Sequence, residues 1–134
     1  DGDMRRVLQE QAQGMENIQF LGYQPNGYEL MSGFDVFCLP SRFEGLGLVL
    51  VEAMLQSVPI VASRAGAIPE ILGDGRFGLL FEPGNVTGLS SAIKLVMNKS
   101  DGIRTMTNRA RDYADEVFDI RKMALETRDV YLDV

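Results

Sequence analysis

A strand, a glycine-containing bend and an apolar helix follow one another in residues 35–55, and this segment constrains the fold most. Residues 35–39, which are apolar after Asp35, have the length and composition of a buried strand, and Pro40 ends it. Gly45 and Gly47 then mark a turn, and every side chain of residues 48–55 except that of Glu52 is apolar. This order predicts half of a βα unit, in which a buried parallel strand leads through a short loop into a helix.

Glu52 is the anomaly of the predicted helix. A helix that is apolar all round is normally buried, so we expect the Glu52 carboxylate to be buried and to need hydrogen-bond donors. Glu44 lies in the preceding loop, and seven residues separate the two acids. Because helical side chains lean toward the helix N-terminus, both carboxylates can reach one ligand. A polyol that carries phosphate suits this arrangement, since a helix N-terminus binds phosphate.

Structural explanations of these residues also stay open. Glu52 could be one partner of a buried salt bridge, and Glu44 could be a carboxylate that the helix dipole stabilises. The segment that starts at Gly45 begins like a dinucleotide-binding fingerprint, but Leu50 stands where the third glycine belongs. A nicotinamide site is therefore disfavoured.

The composition narrows the class of protein. At 134 residues and 46% hydrophobic, the chain matches one domain with its own core. A net charge of −6 disfavours nucleic acid as a partner, and the absence of histidine leaves no imidazole base or zinc ligand. We expect no metal ion and no cofactor.

Cys38 falls in a predicted strand and is expected to pack in the core. No apolar run is long enough to span a bilayer, so we expect a soluble fragment. A single cysteine excludes a disulfide within the chain, which fits a reducing cytoplasm, so we expect a cytoplasmic protein.

The rest of the chain predicts alternating strands and helices. Apolar spacing and turn residues predict helices at 4–15, 27–34, 86–97, 103–117 and 121–132, a short turn at 69–73, and strands at 18–21, 59–63 and 78–81. The expected fold is α/β, with a doubly wound and mostly parallel sheet.

Residues 40–53 resemble the Glu-x7-Glu signature of retaining GT-B glycosyltransferases, specifically family 4 of that classification, the glycosyl transferases group 1. The resemblance continues, in the family's order and spacing, at residues 20–22, 35–40, 59–63, 66–70, 78–80 and 83–84. It implies the Rossmann-like, carboxyl-terminal half of such an enzyme, with residues 1–134 as the domain that binds a nucleotide diphosphate sugar. It also implies a retaining, metal-independent transfer of a hexose.

The resemblance implies roles for individual residues as well. Glu44 is expected to be catalytic and to orient the donor sugar. The backbone at Leu46, Gly47 and Leu48 is expected to bind the sugar and the diphosphate, and Glu52 the ribose. Further donor-binding candidates are Tyr23 and Gln24, at the nucleotide base, and Gly66, through close approach to the donor. For the first two an ordinary loop is an equal alternative, and for Gly66 a simple turn is the favoured one.

Parts of the family's pattern are missing from this sequence. Two further βα units open the family's domain, and residues 1–5 resemble the loop after the second. If the sheet follows the dinucleotide-binding order, the missing strands separate residues 18–21 from residues 35–39. We therefore expect these two segments either to pair directly or to leave an edge that a second copy covers, as a homodimer formed by strand swapping or edge pairing.

The family's acceptor site and remaining catalytic groups belong to an amino-terminal domain, so we expect this fragment to be inactive alone. Any contact with the inner face of the membrane would be made through that domain. The expected acceptor is a saccharide or lipid-linked molecule, with bacterial surface polysaccharide synthesis favoured by analogy.

Two alternatives to this function remain. One is another GT-B enzyme, such as a glycogen-synthase-like polymerase or an epimerase. The other is a non-catalytic nucleotide or protein interaction module on the same fold.

Overall fold

The centre of the molecule is a three-stranded parallel sheet in the order β1-β2-β3. The structure is a computed structural model that describes residues 2–132. Its strands are β1 (Phe37–Leu39), β2 (Ile60–Ser63) and β3 (Leu79–Phe81). Phe37 pairs with Ile60, and Val61 pairs with Leu79. Each connection between neighbouring strands passes through a helix, which confirms the α/β prediction.

The helices follow the predicted alternation with the strands. They are α1 (Arg5–Gln11), α2 (Gly27–Met31), α3 (Leu48–Leu55), α4 (Ile68–Ile71), α5 (Val86–Met97), α6 (Asp101–Val117) and α7 (Ile120–Leu132), with a 3-10 turn at Gly73–Gly75. The Asn85 side chain caps α5 by accepting a hydrogen bond from the Gly88 N–H at 2.8 Å. Between residues 2 and 132, no helix has both the length and the apolar character needed to cross a membrane.

The core lies on both faces of the sheet, because β2 alternates its side chains between two hydrophobic clusters. Ile60 and Ala62 pack on one side, in a cluster that also holds buried residues of α3, α4 and α6. Val61 packs on the other side with Val96 of α5. All residues of β2 are buried, as expected for the central strand of a parallel sheet. The doubly wound arrangement is thus confirmed.

Residues 18–21 form no strand, so this part of the prediction is wrong. Ile18, Phe20 and Leu21 are exposed instead. A strand is stable only when its backbone groups pair with a neighbour, and within residues 2–132 β1 pairs with β2 alone. The expectation that residues 18–21 pair directly with residues 35–39 is therefore also wrong. Within residues 2–132, no strand pairs with the outer edge of β1.

Candidate functional site

The loops that follow the three strands meet at one edge of the sheet, because the carboxyl ends of parallel strands coincide. Arg64, just after β2, holds this edge together. Its backbone N–H donates to the Phe81 carbonyl at 2.8 Å, and its guanidinium group contacts Asp74 at 2.6 Å and Glu82 at 3.7 Å. The Arg64 side chain is thus already engaged by two carboxylates of the protein.

Gly66 lies against the backbone of Glu44. A Cβ atom at Gly66 would lie 1.9 Å from the Glu44 carbonyl oxygen, and the φ of Gly66 is +52°. Only glycine fits both the contact and the left-handed backbone without strain. The favoured explanation of Gly66, a turn, agrees with this geometry, and the group that it approaches closely is Glu44. Its contact with a donor stays a prediction.

Two donors hold the Glu44 carboxylate. The Ser41 hydroxyl donates to Oε2 at 3.2 Å, and the Gly45 N–H donates to Oε1 at 3.2 Å. Ser63, buried at the end of β2, donates its hydroxyl hydrogen to the Ser41 carbonyl. Neither Ser41 nor Ser63 was among the site residues predicted from the sequence. The sequence signal that could have identified Ser63 is a hydroxyl residue at the end of an otherwise apolar predicted strand.

The start of α3 lacks a side-chain cap. Gly47 precedes the helix with φ 62° and ψ 38°, and no side chain caps it. The first N–H groups of a helix point out of its end and carry partial positive charge, so they are available to an anion. The side chains of Leu46 and Leu48 are exposed, at 63% and 57%. Gly47 between them is buried, and the position of a Cβ atom on it lies 3.4 Å from side-chain atoms of Glu44, Leu50 and Ile71. Of the backbone proposed for diphosphate binding, Leu46 and Leu48 are therefore exposed and Gly47 is not.

Glu52 is exposed, so the prediction that it is buried is wrong. Leu48, Glu52 and Leu55 lie on one face of α3, which is exposed along its length, whereas Leu50 and Met54 are buried. Glu52 forms no ion pair within residues 2–132, so the buried salt bridge is also excluded there. Its Cα atom lies about 6 Å along the helix axis from that of Leu48, by the rise of four residues.

Tyr23 and Gln24 lie in the segment before α2. The Tyr23 side chain is 79% exposed, and the Gln24 amide donates to the Leu21 carbonyl at 2.9 Å. Met31 of α2 packs in the same core cluster as α3. The structure thus brings Glu44, Gly47 and Gly66 together. The side chain of Gln24 instead forms its hydrogen bond with Leu21, three residues earlier in the same segment.

Cys38 is half-buried in β1, as expected for a packing residue. Burial raises the pKa of its thiol, because the charged thiolate loses solvation. The thiol is therefore protonated near neutral pH, which makes it a poor nucleophile.

These features define a Rossmann-like α/β domain whose strand ends present a fixed carboxylate beside an uncapped helix start. The chain belongs to the family described as glycosyl transferases group 1, whose sequence model matches residues 1–99. The N-acetyl-alpha-D-glucosaminyl L-malate synthase of Bacillus anthracis is 36% identical over 119 residues, which cover 89% of this chain and 31% of that protein. The MMP alpha-(1->4)-mannosyltransferase of Mycolicibacterium hassiacum is 39% identical over 103 residues, 76% of this chain and 25% of that protein.

Solved structures agree with this assignment. The crystal structure of HepE from Anabaena in complex with UDP superposes on 96% of this chain with a TM-score of 0.89 and 28% identity, and the match covers 36% of HepE. HepE has also been solved in complex with UDP-glucose. The structural neighbours are GT-B glycosyltransferases, and the chain has the fold of their C-terminal, Rossmann-like half. It spans about a third or less of the length of these relatives.

Proposed function

We propose that this chain is the donor-binding part of a retaining glycosyltransferase of GT-B family 4, which transfers a sugar from a nucleotide diphosphate sugar to a saccharide or lipid-linked acceptor. The observation that carries the proposal is the Glu44 carboxylate, held by Ser41 and Gly45 beside the uncapped start of α3. The UDP and UDP-glucose complexes of HepE support this ligand class.

In this proposal the diphosphate binds at the start of α3. No side chain caps the backbone N–H groups at Gly47 and Leu48, and we assign the diphosphate to them, with Leu48 on the exposed side and Gly47 buried beneath it. When the bond to the sugar breaks, negative charge grows on the leaving diphosphate. Preorganised N–H groups and the helix dipole stabilise that charge, so transfer requires no metal ion in this scheme.

The two glutamates divide the rest of the donor. Glu44 accepts hydrogen bonds from the sugar hydroxyls and orients the sugar so that the acceptor attacks on the face that the nucleotide leaves. Glu52, exposed on the accessible face of α3, accepts hydrogen bonds from the ribose hydroxyls. We assign the exposed ring of Tyr23, with Gln24 beside it, to the nucleotide base, and Gly66 to the wall behind the sugar.

Nucleotide binding tests this assignment. We expect UDP, GDP or ADP to raise the melting temperature, because a ligand that binds only the folded state adds about 2.7 kcal/mol at a concentration 100 times its Kd. Glu52→Gln should weaken binding of the nucleoside diphosphate, and Glu44→Gln should weaken binding of the corresponding nucleotide sugar more than that of the diphosphate. Glu116→Gln, an exposed acid in α6, is the matched control. If no nucleotide stabilises the wild-type chain, the donor assignment fails and the interaction module is favoured.

We also propose that an amino-terminal domain of a longer protein supplies the acceptor site and the remaining catalytic groups. The curated relatives, about three times the length of this chain or more, support this view. The chain alone should then release no nucleoside diphosphate from a donor in the presence of a saccharide acceptor. Steady release by the isolated chain, measured with a coupled assay, would contradict it. We infer bacterial surface polysaccharide synthesis as the setting.

We further propose that the open edge of β1 pairs with the same edge of a second copy. A two-fold axis would join two three-stranded sheets and satisfy backbone groups that lack a partner within residues 2–132. Phe34, which lies three residues before β1, is exposed and adds apolar surface. Light scattering should give twice the monomer mass of 14.8 kDa. A monomer at micromolar concentration would contradict the pairing.

A further inference from the structure

We propose that Ser63 and Ser41 are positioning residues that set the direction of the Glu44 carboxylate, an inference that rests on the proposed role of Glu44 in holding the donor sugar. The residues come from two strand ends. Ser63 ends β2, whereas Ser41 and Glu44 lie in the loop after β1. A single series of hydrogen bonds connects them.

The series begins in the core. Ser63 is fully buried, and it is one of only two buried polar or charged residues among the described ones. Its hydroxyl donates to the Ser41 carbonyl, with the Leu39 carbonyl at 3.4 Å as a second acceptor within reach. A buried hydroxyl needs a partner, and here the partner is loop backbone that leaves β1. Ser63 therefore ties the direction of that loop to the central strand.

Ser41 carries this constraint to the carboxylate. With its carbonyl held by Ser63 and its neighbour Pro40 fixed in φ, the backbone of Ser41 has little freedom. Its hydroxyl donates to Oε2 of Glu44 at 3.2 Å, while the Gly45 N–H donates to Oε1. A carboxylate has about four acceptor positions, so two protein donors leave the others for sugar hydroxyls.

The pair of serines thus decides which lone pairs of Glu44 face the ligand. Loss of either hydroxyl should leave the charge of Glu44 intact and change only its orientation. A ligand that contacts Glu44 through sugar hydroxyls should respond, whereas the nucleoside diphosphate, bound at the start of α3, should not.

The Gly45 amide reports on this arrangement directly. In a ¹⁵N–¹H correlation spectrum of the chain, Ser41→Ala and Ser63→Ala should both shift the Gly45 resonance, because its N–H bonds to the carboxylate in question. Ser63→Thr, which keeps the hydroxyl, should leave the Gly45 resonance at its wild-type position. Ser91→Ala, at an exposed position in α5, should leave it unchanged.

Binding of UDP-glucose and of UDP completes the test. Either alanine variant should weaken UDP-glucose binding by about fivefold, the worth of one net hydrogen bond, and leave UDP binding unchanged. If Ser63→Ala does not fold, the result for Ser41→Ala alone tests the positioning role, because Ser41 lies in a loop outside the buried core. An unchanged Gly45 resonance, or an equal loss for both ligands, would overturn the positioning role. If the wild-type chain binds neither ligand, a uridine donor is excluded, the proposed function is decided by the GDP and ADP titrations, and the Gly45 shift still shows whether the serines set the carboxylate.

Discussion

The contact between Gly66 and Glu44 gives a sharp prediction for Gly66→Ala. The new Cβ atom would lie 1.9 Å from the Glu44 carbonyl oxygen and 2.9 Å from its carbon, where real Cβ contacts remain above 3.0 Å. These are backbone atoms, which cannot rotate away, so the two loops must separate by about 1 Å. The left-handed backbone adds a second penalty, since an L-residue there costs about 1 to 2 kcal/mol.

The two penalties can be separated with a matched control. Gly84, in the loop after β3, also has a positive φ of +80°, but a Cβ there would have nothing within 4 Å. Gly84→Ala therefore measures backbone strain alone, about 1 kcal/mol. Gly66→Ala adds the steric term, which for overpacking is about 1 to 3 kcal/mol, and should lose about 2 to 4 kcal/mol.

Urea unfolding measures these losses, and calorimetry of UDP-glucose binding measures the displacement of Glu44. The melting temperature should fall by roughly 3 to 5 °C for each kcal/mol lost in a domain of this size. Gly66→Ala should bind the nucleotide sugar at least tenfold more weakly, whereas Gly84→Ala should bind it normally. If Gly66→Ala loses no more stability than Gly84→Ala, the two loops are not locked together and the reasoning fails.

Two further predictions concern the packing of the domain. Asn85→Ala should lower the free energy of unfolding by about 1 kcal/mol, because the Gly88 N–H loses its cap, whereas Asn98→Ala at the other end of α5 should have little effect in the same urea titration. The thiol of Cys38 should react with iodoacetamide more slowly in the folded chain than in urea at pH 8.5, since burial raises its pKa. The folded state holds that proton more tightly, so the free energy of unfolding should fall as the pH rises above about 8.5, and Cys38→Ala should remove that part of the fall. Equal thiol reactivity in both states would contradict the assigned burial.

The local sequence pattern was sufficient to predict the helices and strands whose packing partners all lie within this chain. The predicted helix at 86–97 matches α5, and the strands predicted at 59–63 and 78–81 match β2 and β3 to within a residue. The turn before α3 follows from its glycines. In these segments the apolar period and the terminating residues specify the same structure, so no distant partner is needed for the prediction.

Prediction failed where the structure or burial of a segment depends on which other segments pack against it. Residues 18–21 have the composition of a strand, but no neighbouring strand pairs with them in the described chain. Glu52 lies on a helix of almost uniform hydrophobicity, yet one face of that helix is uncovered. The contact of Gly66 with Glu44 joins loops from two strands, and no spacing within one segment reveals it.

The central position of β2 has a consequence for the order of folding. β1 reaches it only after the connection from Phe37 to Ile60 closes, and β3 only after that from Val61 to Leu79. Both closures bring together residues distant in the chain, which slows assembly relative to a helical bundle. Since Ser63 ends the shared strand and its hydroxyl donates to the Ser41 carbonyl, the loop that carries Glu44 gains this hydrogen bond only when β2 has docked. During synthesis, the proposed binding of a sugar nucleotide should therefore emerge only after β2 has left the ribosome.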